Sequence, residues 1–301
     1  MEIRPASGAD DLAICVEMFV RTSNDLGARH GDEPFTREDV GWMPASLEHL
    51  ASTDPGDLVL AVDGGDPVGF GCAFRRERLW FLSYLYVVPE QQGAGLGRRI
   101  LEHLLPPPNE RVGAILATVA ESRQPVSTML YASNGIAPRL PLYWLEGEPR
   151  LDRLPGLPDG VAAQALSLER HGEQLDRLDR QLLGYARAVD HAMWIREAPA
   201  ARAYLTPDGT MAGYGYRAPD DWISPLGAID EELAAAIVRD FASPGTADGA
   251  KVTVQVGGSA GELLPLLLRA GLRSEEGATL LYCSNGRLPA PSYLPYGGFL
   301  P

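Results

Sequence analysis

The strongest constraint on this chain is that its two halves repeat one order of elements. In the first half an apolar run at 58–62 leads through Asp63, Gly64 and Gly65 to a second run at 68–74. In the second half 203–205 leads through Pro207, Asp208 and Gly209 to 212–216. Each pair reads as strand, Asp-Gly turn, strand, the pattern of a β-hairpin. Another extended run follows each hairpin, at 79–88 and 222–226. A helix, a strand and a helix come next: 98–105, 112–119 and 126–133, then 231–241, 251–256 and 261–270. Helical stretches also open both halves, at 10–19 behind Asp10 and Asp11, and at 166–183. Glycine closes the last helix of each half, at Gly135 and Gly271, where a helix C-terminus favours it. The Pro- and Gly-rich stretch 149–160 has no periodicity and reads as a linker. The expected fold is α/β with mixed α+β sheets, in two tandem domains of similar design at 1–148 and 161–286.

The tail, 287–301, carries Pro289, Pro291, Pro295 and Pro301, which bar a helix. Tyr293, Tyr296 and Phe299 make it too apolar for a simply solvated end, so it is expected to dock.

Of the 301 residues 45% are hydrophobic and 22% charged, which excludes a disordered or fibrous chain. The net charge of -14 argues against a nucleic-acid partner, since phosphate contacts need a basic stripe, and leaves cationic small molecules open. Lys251 is the only lysine among 26 basic residues, as in proteins from GC-rich bacterial genomes. Cys15, Cys72 and Cys283 are odd in number and contain no CxxC pair, so neither a disulfide framework nor a metal site is expected, only buried thiols. No apolar run reaches the roughly 18–20 residues of a spanning helix. Met1-Glu2-Ile3-Arg4 does not open a secretory signal, so no membrane association and a cytoplasmic location are expected.

The chemistry lies in the stretch where an apolar strand ends at Leu85-Tyr86-Val87-Val88-Pro89 and a turn follows, Gln92-Gly93-Ala94-Gly95-Leu96-Gly97-Arg98. Three glycines remove the Cβ atoms that would hold a ligand off the backbone. The turn's amides, with the positive end of the helix behind them, make an anion site suited to a pyrophosphate. A Walker A loop needs Gly-Lys-Ser/Thr, whereas Arg98 follows Gly97. A dinucleotide fingerprint needs GxGxxG directly after its strand, whereas here GxGxG follows with 89–92 interposed.

These residues resemble the GNAT acetyltransferases, whose motif Gln/Arg-x-x-Gly-x-Gly/Ala matches Gln92 to Gly97 and whose fourth strand looks like 85–89. The resemblance covers about 1–150 and implies acetyl-CoA as co-substrate. It places the pyrophosphate on Gln92, Gly93, Ala94, Gly95, Leu96, Gly97 and Arg98. By the same resemblance the pantetheine arm is expected to pair with the backbone of Leu85, Tyr86 and Val87, and an amide near Val87 to polarise the thioester carbonyl. The family's later motif, Asn-x-x-Ala-x-x-Leu-Tyr then Gly-Phe, appears as Gln124 to Tyr131, then Gly135-Ile136. Tyr131 thus matches the tyrosine that protonates the departing thiolate; otherwise it is a core aromatic.

Many relatives carry a glutamate base on the fourth strand, but Phe81, Leu82 and Ser83 stand there in this chain. His30, Asp32 and Glu33, in the loop after the first helix, and Glu121, at the end of the fifth strand, are the candidates instead. Some tandem members bring a C-terminal carboxylate into the active site, which adds that of Pro301. The long first loop, 24–50, with Trp42, is expected to cover the acceptor pocket.

The second half has lost the motif. Residues 223–233 hold one glycine and place Asp230, Glu231 and Glu232 at the helix start, where carboxylates satisfy the dipole and repel a pyrophosphate. Leu267 stands at the position of Tyr131. One acetyl-CoA is therefore expected per chain, in a monomer of two pseudo-equivalent domains or a homodimer. The expected reaction is acyl transfer to a small-molecule amine by direct attack. Acylation of a protein amine and a non-catalytic coenzyme A-binding module are the alternatives.

Overall fold

The computed structural model describes residues 1–243, 250–274 and 277–299. Packing divides it into two compact units, one of Met1–Arg75 with Leu79–Leu116, the other of Arg76–Arg78 with everything from Ala117 onward.

The first unit contains β1 (Glu2–Pro5), α1 (Gly8–Ala28), α2 (Met43–Thr53), β2 (Leu58–Asp63), β3 (Asp66–Arg76), β4 (Leu79–Val87) and α3 (Leu96–Leu104). Its strands run β1-β2-β3-β4, with β1 and β3 antiparallel to β2. The expected hairpin forms, with Asp63 facing Asp66 across the turn. At the start of α1 the Asp11 carboxylate accepts from Arg4 at 2.7 and 2.9 Å and from the Ser7 amide at 2.8 Å. That tie fixes the first strand to the first helix, and the Arg4 contact holds the Asp11 carboxyl below its ordinary range. The segment expected as one loop over 24–50 is shorter, because α1 runs on to Ala28 and α2 starts at Met43.

The second unit contains β5 (Ile115–Glu121) from Ala117 on, α4 (Pro125–Ser133), β6 (Ala137–Gly147), β7 (Ala162–Ala165), α5 (Leu168–Leu182), α6 (Ala188–Glu197) and β8 (Ala200–Leu205). It continues with β9 (Met211–Arg217), β10 (Ile223–Ala228), α7 (Glu231–Ala242), β11 (Val252–Gly257), α8 (Leu263–Ala270), β12 (Thr279–Cys283) and β13 (Tyr293–Leu294). Its strands are ordered β5-β12-β6-β11 and β13-β10-β9-β8-β7.

The first of these orders is an exchange. β12, from the second half of the sequence, lies antiparallel between β5 and β6, while β6, from the first half, pairs with β11. Each half thus gives its last strand to the other half, and the compact units cut across the linear division of the chain. The segment 149–160 is packed too: Arg150 donates from its amide to Ala270 and from its guanidinium to Arg269, both at 2.7 Å.

The repeated Gly-x-Gly of the two hairpins has a packing cause. A Cβ at Gly71 on β3 would stand 2.5 Å from Ile100 Cγ2 and 2.8 Å from Leu104 Cδ1 on α3. On β9, a Cβ at Gly213 would meet Ile237 at 2.7 Å and one at Gly215 would meet Phe241 at 2.8 Å, both on α7. In each half glycine lets the following helix lie directly on the hairpin. Gly71→Val is therefore expected to force α3 off its strand and cost roughly 1–3 kcal/mol, read as a lower urea midpoint. An unchanged midpoint would show that α3 has room to shift.

The tail docks on the second unit. Leu294 pairs with Leu226 on β10, Tyr293 is buried, and Tyr296 packs 5.7 Å from Trp194. The chain continues to Gly298, where an added Cβ would meet Val119 of β5 at 3.1 Å. Pro301 and its carboxylate lie outside the described residues. Cys15, Cys72 and Cys283 are buried thiols. Among the described residues no helix is long and apolar enough to cross a membrane.

Candidate active site

In the first unit β4 gives way to a single 3₁₀ turn, Pro89–Gln91. The Gln92 side-chain amide then reaches back and donates to the Val87 carbonyl at 3.0 Å, tying the turn to the strand end. Gly93 and Gly95 follow with φ of 81° and 80°, left-handed conformations that an L side chain rarely adopts. Nothing lies within 4 Å of a Cβ built at either, so the space beside both is open. Gly95 is the N-cap of α3, and buried Leu96 anchors the helix. The first amides of a helix have no intrahelical acceptor, and no acidic residue stands in the first turn of α3. Arg98 is exposed there and adds positive charge. Backbone donors at a positive helix end, facing open space, fit a diphosphate.

The matching place in the second half is closed by its own carboxylates. Asp230 caps α7 by accepting from the Leu233 amide at 2.8 Å. Glu231 accepts from the Glu262 and Leu263 amides at 2.8 and 2.7 Å, closing the start of α8.

Among the candidate bases, His30, Asp32 and Glu33 are exposed on the connection 29–42. That connection is clamped to α1 by Asn24, which donates to the Phe35 carbonyl at 2.8 Å and accepts from its amide at 3.1 Å. Phe19 carries an aromatic wall beneath it, with ring centroids 5.9 Å from Phe35, 6.4 Å from Trp42 and 5.1 Å from Tyr86 of β4.

In the second unit Tyr131, on α4, is 5% exposed. Burial pushes its phenol up, with Tyr282 adding to the rise, while hydrogen bonds with Ser127 and Thr118 offset part of it. The group therefore keeps its proton across the neutral range. Glu121, at the end of β5, is exposed and pairs with Arg123 at 3.1 Å.

Sequence reasoning missed a buried charge cluster in the second unit. Asp179 accepts from Arg187 Nε at 2.9 Å and from the Tyr214 hydroxyl at 2.5 Å, and lies 3.0 Å from His191 Nε2. Arg187 also donates to the Tyr293 hydroxyl at 2.7 Å, and His191 Nδ1 lies 2.7 Å from the Tyr216 hydroxyl. Nearby, Arg76 holds Asp190 through two hydrogen bonds of 2.7 and 2.8 Å. The available signal was Asp179 itself, an acid on the same α5 face as Leu175, Leu178 and Leu182.

A model of the acetyltransferase (GNAT) family matches residues 24–135, a span that includes both the glycine turn and Tyr131. No curated protein matches the chain. Among solved structures, a Pyrococcus horikoshii protein superposes with a TM-score of 0.72 at 19% identity, covering 100% of this chain and 94% of its own. A GCN5-related N-acetyltransferase from Sphaerobacter thermophilus gives 0.61 at 18% identity, covering 97% of this chain and 98% of its own. A tandem GNAT protein from the clavulanic acid biosynthesis pathway gives 0.56 at 14% identity, covering 94% of this chain and 97% of its own. At such identities the likeness is one of fold. With the family match and the glycine turn, it makes the chain an acyltransferase by class. Residues 24–135 match the GNAT acetyltransferase family, and the whole chain is similar in fold to a tandem GNAT protein.

Proposed function

We propose that the chain transfers an acetyl group from acetyl-CoA to the amine of a small molecule, with one acetyl-CoA held at the first half's glycine turn. The observation that carries this reading is the turn 93–98, with its left-handed glycines, open space and amides at the start of α3. Gln92, Gly93, Ala94, Gly95, Leu96, Gly97 and Arg98 hold the diphosphate, Gln92 by keeping the turn on Val87. Leu85, Tyr86 and Val87 offer backbone to the pantetheine arm. The co-substrate supplies an activated acyl thioester.

Direct attack by an amine then asks three things of the protein. An amide near Val87 polarises the carbonyl as the C–N bond forms. Glu121 receives the proton that the attacking nitrogen sheds, directly or through water. The Tyr131 phenol gives its proton to the sulfur as the C–S bond breaks. Burial keeps that proton in place beforehand. A small acceptor, not a protein chain, is supported by the connection 29–42, which is clamped to α1 and faced by aromatic rings.

Tyr131→Phe is expected to lower kcat roughly 10–1,000-fold, the range of a single general acid, with little change in acetyl-CoA affinity. An unchanged kcat on a good acceptor would return Tyr131 to a packing role.

A further inference from the structure

The exchanged strand brings a residue of the second half against the helix that carries Tyr131. Tyr282 is fully buried on β12, opposite Thr118 of β5 and Pro138 of β6, and the β6 register shifts between Leu281 and Tyr282. Its ring meets Tyr131 edge-on, with centroids 5.6 Å apart and planes at 71°. Its hydroxyl lies 2.7 Å from Thr128 Oγ1. Thr128 Oγ1 spends its own proton on the Gln124 carbonyl at 3.1 Å, so the Tyr282 hydroxyl is the donor between them. Thr128 sits one turn before Tyr131 on α4, and Thr118, the cross-strand partner of Tyr282, hydrogen-bonds with the Tyr131 hydroxyl. One side chain therefore constrains the tyrosine ring, its helix and its hydrogen-bonding partner together.

We propose that Tyr282 is a positioning residue for Tyr131, so that the second half takes part in the chemistry of the first through its exchanged strand. This rests on Tyr131 being the proton donor. A proton transfer tolerates little misplacement: an error of about 1 Å can cost on the order of 100-fold in rate. The second half has lost the glycine turn, yet it supplies the side chain that seats the acid.

The test is a set of conservative variants of the full chain, measured by steady-state kinetics with acetyl-CoA and an amine and normalised to folded protein by near-UV circular dichroism. Tyr282→Phe keeps the ring and removes the bond to α4; Thr128→Val removes the same bond from the other side. Each is expected to lower kcat about 5–30-fold with the KM for acetyl-CoA unchanged. The double variant should be no slower than Thr128→Val, which already lacks both the bond to Tyr282 and the bond to Gln124. On a Tyr131→Phe background, Tyr282→Phe should add nothing, which a merely structural role would not produce. If Tyr131→Phe is slow while Tyr282→Phe and Thr128→Val run at the wild-type rate, the positioning role is wrong and the proton donor stands. If Tyr282→Phe multiplies the loss of Tyr131→Phe, Tyr282 acts elsewhere and the proposal is equally overturned. If Tyr131→Phe itself runs at the wild-type rate, the proton-donor reading falls and takes this one with it.

Discussion

Gly95→Glu is expected to abolish acetyl-CoA binding, in calorimetry where the unaltered chain takes up one equivalent. Gly95 has a φ of 80° and open space beside it, so the new side chain would point where the diphosphate is proposed to sit. Left-handed backbone in a non-glycine residue costs about 1–2 kcal/mol, and a carboxylate at a helix start gives back part of that. The fold should survive. The binding loss comes from charge: two like charges 4 Å apart at an effective dielectric of 20 repel by about 4 kcal/mol, nearly three orders of magnitude in affinity. Gly95→Ala carries the strain without the charge and should lose far less. Asp230 and Glu231 place the same obstacle in the second half, which is why a stoichiometry of one is expected. Two equivalents, or undiminished binding by Gly95→Glu, would contradict the assignment.

The second large effect is on stability. Asp179→Ala is expected to destabilise the chain by about 3–5 kcal/mol, because it leaves the buried Arg187 guanidinium without its carboxylate. For a chain of this size that is a fall in Tm on the order of 10 °C. Asp179→Leu combined with Arg187→Met should lose less than Asp179→Ala, since replacing both ions by apolar groups leaves no charge stranded. Burial alone works against the Asp179 charge, but Arg187 and His191 outweigh it and hold the carboxyl well below its ordinary range. Its contribution is thus present above the unfolded carboxylate value, near pH 4, and is lost as pH falls below it. The variant should accordingly show a flatter decline of stability between about pH 4 and pH 2 than the unaltered chain. A drop in Tm under about 2 °C would show that Arg187 finds other partners.

What was legible in the sequence is local. The hairpins follow from Asp-Gly turns, the helices from their apolar period, and the turn at 92–98 from glycines needing left-handed backbone. Partner choice was not legible. The strand Thr279-Leu280-Leu281-Tyr282-Cys283 would serve a sheet of either half, and only packing decides that it lies between β5 and β6. Met43–Thr53 and Ala188–Glu197 were not anticipated as helices, α2 because it begins inside a segment that read as loop. The charge cluster was hidden for a related reason: Asp179 betrays itself by its face of α5, but nothing local joins it to Arg187, His191 or Tyr214.

Transfer, as distinct from binding, is measured by the release of coenzyme A. Unaltered chain and Gly95→Glu are each incubated with acetyl-CoA and a panel of small amines, following free thiol with a dye and products by mass spectrometry. The unaltered chain is expected to release thiol in a manner that depends on the amine, matched mole for mole by N-acetylated product, and Gly95→Glu to release none. An unaltered chain that binds acetyl-CoA yet releases no coenzyme A with any amine would contradict acetyl transfer, and leave a coenzyme A-binding module in its place.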